Sequence, residues 1–290
     1  MLATLKEVLE KAEQGNYAVG AFNCTSLESG MAIVETAEEL NSPVILQYAD
    51  SHRHLISIDV IGPIMLQLAK IAKVPVVVHL DHGASIESCR HAVDMGFTSV
   101  MYDASAKPFE DNVAETRSVV EYAHERGASV EAELGHILTS KAGAAEGNGK
   151  SYTREEAYTD PEMAKEFIER TNVDALAIGF GTAHGIYTEK PVLDLNRIAL
   201  IKSAKDIPYV MHGGSGLSEE EYRTAIHNGI RKINYYTYLS LAGGRGVMQY
   251  LEDKKHKDAI YFEDIAKAGI TAMKADVKRA MKIFESDGKI

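Results

Sequence analysis

The sequence predicts an α/β protein of the (β/α)8, or TIM-barrel, class, with extra C-terminal helices. Three observations support this. Eight short β-rich runs alternate with longer amphipathic helices, the chain has 290 residues, and its polar residues gather at the ends of the runs. Residues 1–290 are therefore expected to form one barrel domain.

The opening segment MLATLKEVLEKAEQG places Leu2, Leu5, Val8 and Leu9 on one side of a helix and charges elsewhere, and it lacks the continuous apolar stretch of a signal peptide. The strands predicted after it are Tyr17–Phe22, Pro43–Tyr48, Val74–Leu80, Ser99–Tyr102, Ala128–Glu133, Asp174–Gly179, Pro208–His212 and Ile230–Tyr235. The helices between them are predicted at Leu27–Leu40, Ile58–Lys73, Ser85–Met95, Phe109–Arg126, Pro161–Thr171, Leu195–Lys205 and Ser218–Asn228, with more after Tyr238. Ser218 ahead of Glu219, Glu220 and Glu221 is an N-cap with acids at the positive helix end, and Gly96, Gly127 and Gly229 are stop signals. The turn after the first strand, NCTSLESG, lacks the GxGxxG of a dinucleotide site, which disfavours an open doubly wound sheet.

The formal net charge of -11 disfavours broad binding of nucleic acid or acidic membranes. No apolar run reaches membrane-spanning length, so a cytoplasmic protein is expected. Cys24 and Cys89 form no CxxC pair, and Cys89 reads as a small buried hydrophobe. The connection 136–158, glycine-rich and unusually long, is expected to be a mobile active-site loop, with a passive insertion as the alternative.

Chemistry in such a barrel belongs at the C-terminal ends of its strands. HLDHG supplies His79, Asp81 and His82, and the fifth strand supplies Glu131 and Glu133; His184 follows the sixth strand and His212 ends the seventh. Three neutral imidazoles with one open position suit a catalytic Zn²⁺. Hydrogen-bonded structural histidines, or histidines that touch an anionic substrate, would leave the same pattern. Strand alternation sends His79 and Asp81 to one side and Leu80 and His82 to the other, so His82 reaches such a site only if the backbone departs from regular strand. Asp81 is placed to transfer a proton or to support a neighbouring histidine. GFGTAHG, GGSG at Gly213–Gly216 and the stretch through Asn234 and Thr237 can present backbone N–H groups to phosphate. His52, Arg53 and His54 form a cationic cluster after the second strand, readable as an anchor for a distal anion or as a solvated turn.

In their order, GAFN, HLDHG, GFTSVMYDAS, VEAELG, YTDPEMAKEFIERTNVDALAIGFGTAHGIY, HGGSG and RKIN resemble segments of the class II ketose-bisphosphate aldolases, fructose or tagatose type, along nearly the whole chain. The resemblance implies Zn²⁺ on His82, His184 and His212, with Glu133 as a nearby carboxylate. It implies proton transfer by Asp81 and a substrate and phosphate set of Asn23, Gly181, Gly213, Ser215, Asn234 and Thr237, with a monovalent cation (Na⁺ or K⁺) beside it. A second acid is expected from the long loop, with Glu146 as first candidate and Glu155 and Glu156 as rivals. The expected reaction is retro-aldol cleavage of a phosphorylated ketose to dihydroxyacetone phosphate and an aldehyde, by a homodimer or homotetramer.

Tyr235, Tyr236 and the His52–His54 loop depart from the family pattern, so a non-standard acidic, deoxy or sulfonated sugar is expected. The alternatives are an ordinary fructose or tagatose bisphosphate, a Schiff-base enzyme using Lys232, and a non-catalytic sugar-phosphate-binding regulatory barrel.

Overall fold

The computed structural model describes residues 1–139, 153–187, 189–254 and 259–290. Its eight barrel strands are β1 (Val19–Asn23), β2 (Val44–Ala49), β3 (Val76–Gly83), β4 (Ser99–Tyr102), β5 (Ser129–Leu134), β6 (Ala175–Ile178), β7 (Tyr209–Met211) and β8 (Ile230–Tyr235). Each pairs in parallel with the next, and β8 pairs with β1, so the sheet closes and leaves no edge among the eight. A two-residue strand, Leu2–Ala3, adds to β3 from below.

The helices lie where the apolar periodicity puts them. Leu27–Leu40 and Pro161–Thr171 match their predicted bounds, and Ser218 caps Glu219–Asn228 through a reciprocal box with Glu221. Gly96 ends its helix in the left-handed region, as a stop signal should. Asn16, Asn41 and Asn172 end three other helices in the same conformation, where an asparagine stands in for glycine. After β8 come Thr237–Lys254 and Phe262–Ile283, the second packing on Leu27–Leu40.

Two separate apolar cores follow from strand alternation. Residues such as Leu46, Val78, Val100, Ala132, Leu176 and Ile233 point outward and bury the helical layer. The interior set is smaller: Val19, Ala21, Ile45, Val77, Ala175, Ala177 and Val210, sealed from below by Leu5, Val8, Leu9 and Ala12 of the first helix, Leu5–Gly15. Above this layer the interior becomes polar. The register sets Asn23 beside Gln47 and Gln47 beside His79, and continues to Ser99.

Candidate active site

β3 runs further than its apolar run suggests. It continues through His79, Asp81 and His82 to Gly83, with a break in register against β4 between Leu80 and Gly83. His82 takes a left-handed backbone conformation there, φ 47°. For a residue with a Cβ this costs on the order of 1–2 kcal/mol. The step reverses the outward direction that alternation would give its side chain, and it brings His82 to the same mouth as Asp81.

There His82, His184 and His212 converge, with one nitrogen of each ring within 4.8 Å of the others. Ring centroids are 4.6 Å apart for His82 and His212, 5.4 Å for His82 and His184, and 6.0 Å for His184 and His212. His82 Nδ1 lies 2.8 Å from Asp103 Oδ2, and His212 Nε2 lies 2.9 Å from Glu131 Oε1. Both carboxylates accept, so each ring's proton belongs on the nitrogen facing its carboxylate. The remaining nitrogens, His82 Nε2 and His212 Nδ1, then face each other lone pair to lone pair at 3.0 Å. That contact is repulsive unless a second proton on His82 or a cation lies between them. Glu133 Oε2 is buried without a hydrogen bond 3.4 Å from His212 Nδ1, and a second group of His82, Asp103 and Glu133 shares the His82 corner. The donor set therefore fits a divalent cation bound through three nitrogens, with a carboxylate in reserve.

The local field draws positive charge, as a proton or a metal ion, to the same point. Burial opposes charge on His82, but Asp81, Asp103 and Glu133 outweigh it and push the ring well above the ordinary imidazole range. Burial, then the charge on His82, pushes His212 well down. Burial, helped by Asp103, holds Glu133 well above the carboxylate range. Burial also penalises ionised Asp81, yet His82, Lys232 and His212 outweigh it and hold this carboxyl below its usual range. Asp81 Oδ1 accepts from Asn234 Nδ2 at 2.9 Å, and Oδ2 from Gln47 Nε2 at 3.2 Å. Gln47 also donates to Asn23 Oδ1 at 2.8 Å.

A cavity of about 270 Å³ opens over this floor, lined in part by Asn23, Asp81, His82, His184, Gly213, Ser215, Asn234 and Thr237. Gly213, at φ 63°, lies so close to the backbone of Ala183 that a Cβ would meet it at 2.6 Å. Tyr187 ties the two loops together: its hydroxyl donates to Gly213 O at 2.7 Å and accepts from Ala183 N at 3.0 Å. Leu138–Thr139 pairs with Ala183–His184, so the root of the long connection is joined to the backbone of His184.

Some predicted residues stand elsewhere. Gly181 does not line the cavity; it turns at φ 107° against the Val192 carbonyl. Of the cationic cluster only His52 lines the cavity, its ring 4.6 Å from Tyr236. Arg53 pairs with Asp50 of its own turn, and His54 Nδ1 lies 2.9 Å from Ser51 O. Lys232 is fully buried, ion-paired with Glu131, hydrogen-bonded to Asn234 and absent from the cavity lining, which removes the geometry a Schiff-base nucleophile needs. Glu146 lies outside the described residues, as does the Glu155 side chain. Glu156 caps its own short helix by accepting from Thr153 N at 2.8 Å. The sequence reading passed over Asp103, Gln47 and Tyr187; Asp103 carried one signal, a polar residue just past the end of the fourth strand.

A family model described as "Fructose-bisphosphate aldolase class-II" matches residues 3–289. A fructose-bisphosphate aldolase from Geobacillus stearothermophilus is 41% identical over 99% of this chain and 98% of its own. The crystal structure of the YdjI aldolase from Escherichia coli K12 superposes with a TM-score of 0.85 at 34% identity, over 100% of this chain and 99% of that one. A fructose-bisphosphate aldolase structure from Campylobacter jejuni shares the fold, with a TM-score of 0.81 at 23% identity over 100% and 97% of the two chains. The chain belongs to the class II fructose-bisphosphate aldolase family, and it is a carbon–carbon lyase of the retro-aldol type.

Proposed function

We propose that the chain cleaves a phosphorylated ketose to dihydroxyacetone phosphate and an aldehyde, with Zn²⁺ held by His82, His184 and His212. The observation that carries this is the facing pair of imidazole nitrogens beside an amide-bonded Asp81 on the floor of one cavity. A divalent ion there supplies a Lewis acid for the ketose carbonyl. Asp81 takes the proton of the C4 hydroxyl, and C4 becomes the aldehyde as the C3–C4 bond breaks. The electron pair of that bond passes toward the C2 oxygen, and a proton delivered to C3 completes dihydroxyacetone phosphate. Glu146 is the proposed donor of that proton.

Phosphate has a natural seat after β7 and β8. Gly213, Ser215 and Asn234 line the cavity there, beside Thr237 at the N-terminus of an 18-residue helix whose first N–H groups are unpaired within it. A monovalent cation beside that phosphate belongs to the same proposal. His52, which lines the same cavity against Tyr236, favours an aldehyde fragment that carries an acidic group, such as an acidic or sulfonated ketose phosphate, over a plain bisphosphate.

Metal analysis and a substrate panel on one preparation test these readings. Asp81→Asn is expected to keep metal and ketose binding while turnover falls by roughly 10²–10⁴-fold. Undiminished cleavage by metal-stripped protein would defeat the proposal. A clear preference for fructose or tagatose bisphosphate would defeat only the acidic-aldehyde part.

A further inference from the structure

We propose that Lys232 is a positioning residue that orients both the metal-facing imidazole of His212 and the proton-transfer carboxylate of Asp81, an inference that rests on the roles given to those two residues above. Lys232 and Asn234 share the interior face of β8, two residues apart. The Lys232 ammonium is fully buried, 2.8 Å from Glu131 Oε2 and 2.7 Å from Asn234 Oδ1.

An ammonium can only donate. Whatever meets it must turn an acceptor toward it, and that single constraint propagates two ways. Glu131 offers Oε2 to Lys232, which leaves Oε1 to accept the His212 Nε2 proton and leaves Nδ1 as the metal-facing lone pair. Asn234 must point its carbonyl oxygen at Lys232, so its amide nitrogen points at Asp81. Without the ammonium the Asn234 amide is held in that orientation from one side alone, by the Asp81 carboxylate, and its oxygen is left in the core with no donor. Glu131 would lie buried with His79 Nε2, 3.6 Å away, as a competing partner. Lys232 thus acts on both sides of the reaction without touching substrate.

Its neighbour provides a matched control. Arg231 is buried too, but it faces outward and meets Glu13 Oε1 at 3.1 Å and Asn16 Oδ1 at 3.0 Å, with no path to the site. The test uses Lys232→Met combined with Glu131→Gln, so that no unpaired charge is left in the core. Cobalt(II) titration followed by visible absorption and steady-state cleavage of whichever ketose phosphate the substrate panel shows to turn over fastest are the readouts. The double variant is expected to bind cobalt about 10–100-fold more weakly, with a shifted spectrum. Its kcat should fall by about the same factor, 10–100-fold, while KM stays within about threefold. Arg231→Met with Glu13→Gln should lower Tm and leave both readouts at wild-type values.

Glu131→Gln alone cuts one path and keeps the ammonium, so it should weaken cobalt binding with a smaller loss of kcat. This variant keeps the test decisive should the double variant not fold. Wild-type cobalt affinity and spectrum in either site variant would overturn the proposal, as would a kcat loss matched by the Arg231 control at equal loss of Tm. Cobalt absorption that survives His212→Ala would instead show that His212 is no ligand, which sinks the metal reading and this inference together.

Discussion

Asp103 accepts from His82 on the side away from the other two imidazoles, and so decides which nitrogen of that ring is left for a cation. Asp103→Asn is therefore expected to weaken zinc binding by about 10–100-fold with little change in fold, measured by competition with a chromophoric chelator. The two thiols should behave in the opposite way, as inert groups. Burial pushes Cys24 up to about 12, so at pH 8.5 it should resist iodoacetamide in the native state and react on unfolding, as counted by mass spectrometry. Residue by residue, the sequence exposed its histidines and acids because those types are costly to place without a purpose. It concealed their partners. Gln47 sits inside PVILQY and reads as an ordinary strand position, yet it holds both Asn23 and Asp81. The orienting role of Lys232 is equally invisible until Glu131 and Asn234 are seen on either side of it.

The eight strands and the helices between them were legible because apolar spacing reports directly which face is buried. Chain direction at strand ends was not. In HLDHG, alternation alone turns His82 away from Asp81, and only the left-handed step reunites them; spacing carries no record of φ. The short pairing of Leu138–Thr139 with Ala183–His184 was also hidden, since two residues make no periodic signal. Local end signals fared better. Ser218 caps its helix through both halves of the box, and Ser218→Ala should cost about 1 kcal/mol in urea unfolding without affecting turnover.

For the molecule as a whole, the Lys and Arg deficit leaves the net charge at -11, and the site sets Asp103 and Glu133 beside its three converging imidazoles. Ligand-linked stabilisation follows: free zinc at 100 times its Kd should stabilise the fold by about 2.7 kcal/mol, and chelation should lower Tm together with activity. Among the described residues no helix is long and apolar enough to cross a membrane. Closing the sheet removes its free edges and leaves the interior as a shaft with two unlike ends.

That shaft has a practical consequence. Leu9, plugging it from beneath, is wholly buried, and Leu9→Ala should cost roughly 2–5 kcal/mol while purified, folded protein keeps its kcat. Depth along the axis thus sorts the effects of mutation. Changes low in the shaft will reduce how much enzyme survives, changes high in it will reduce what each surviving molecule can do, and the His79 tier marks where one kind of damage gives way to the other.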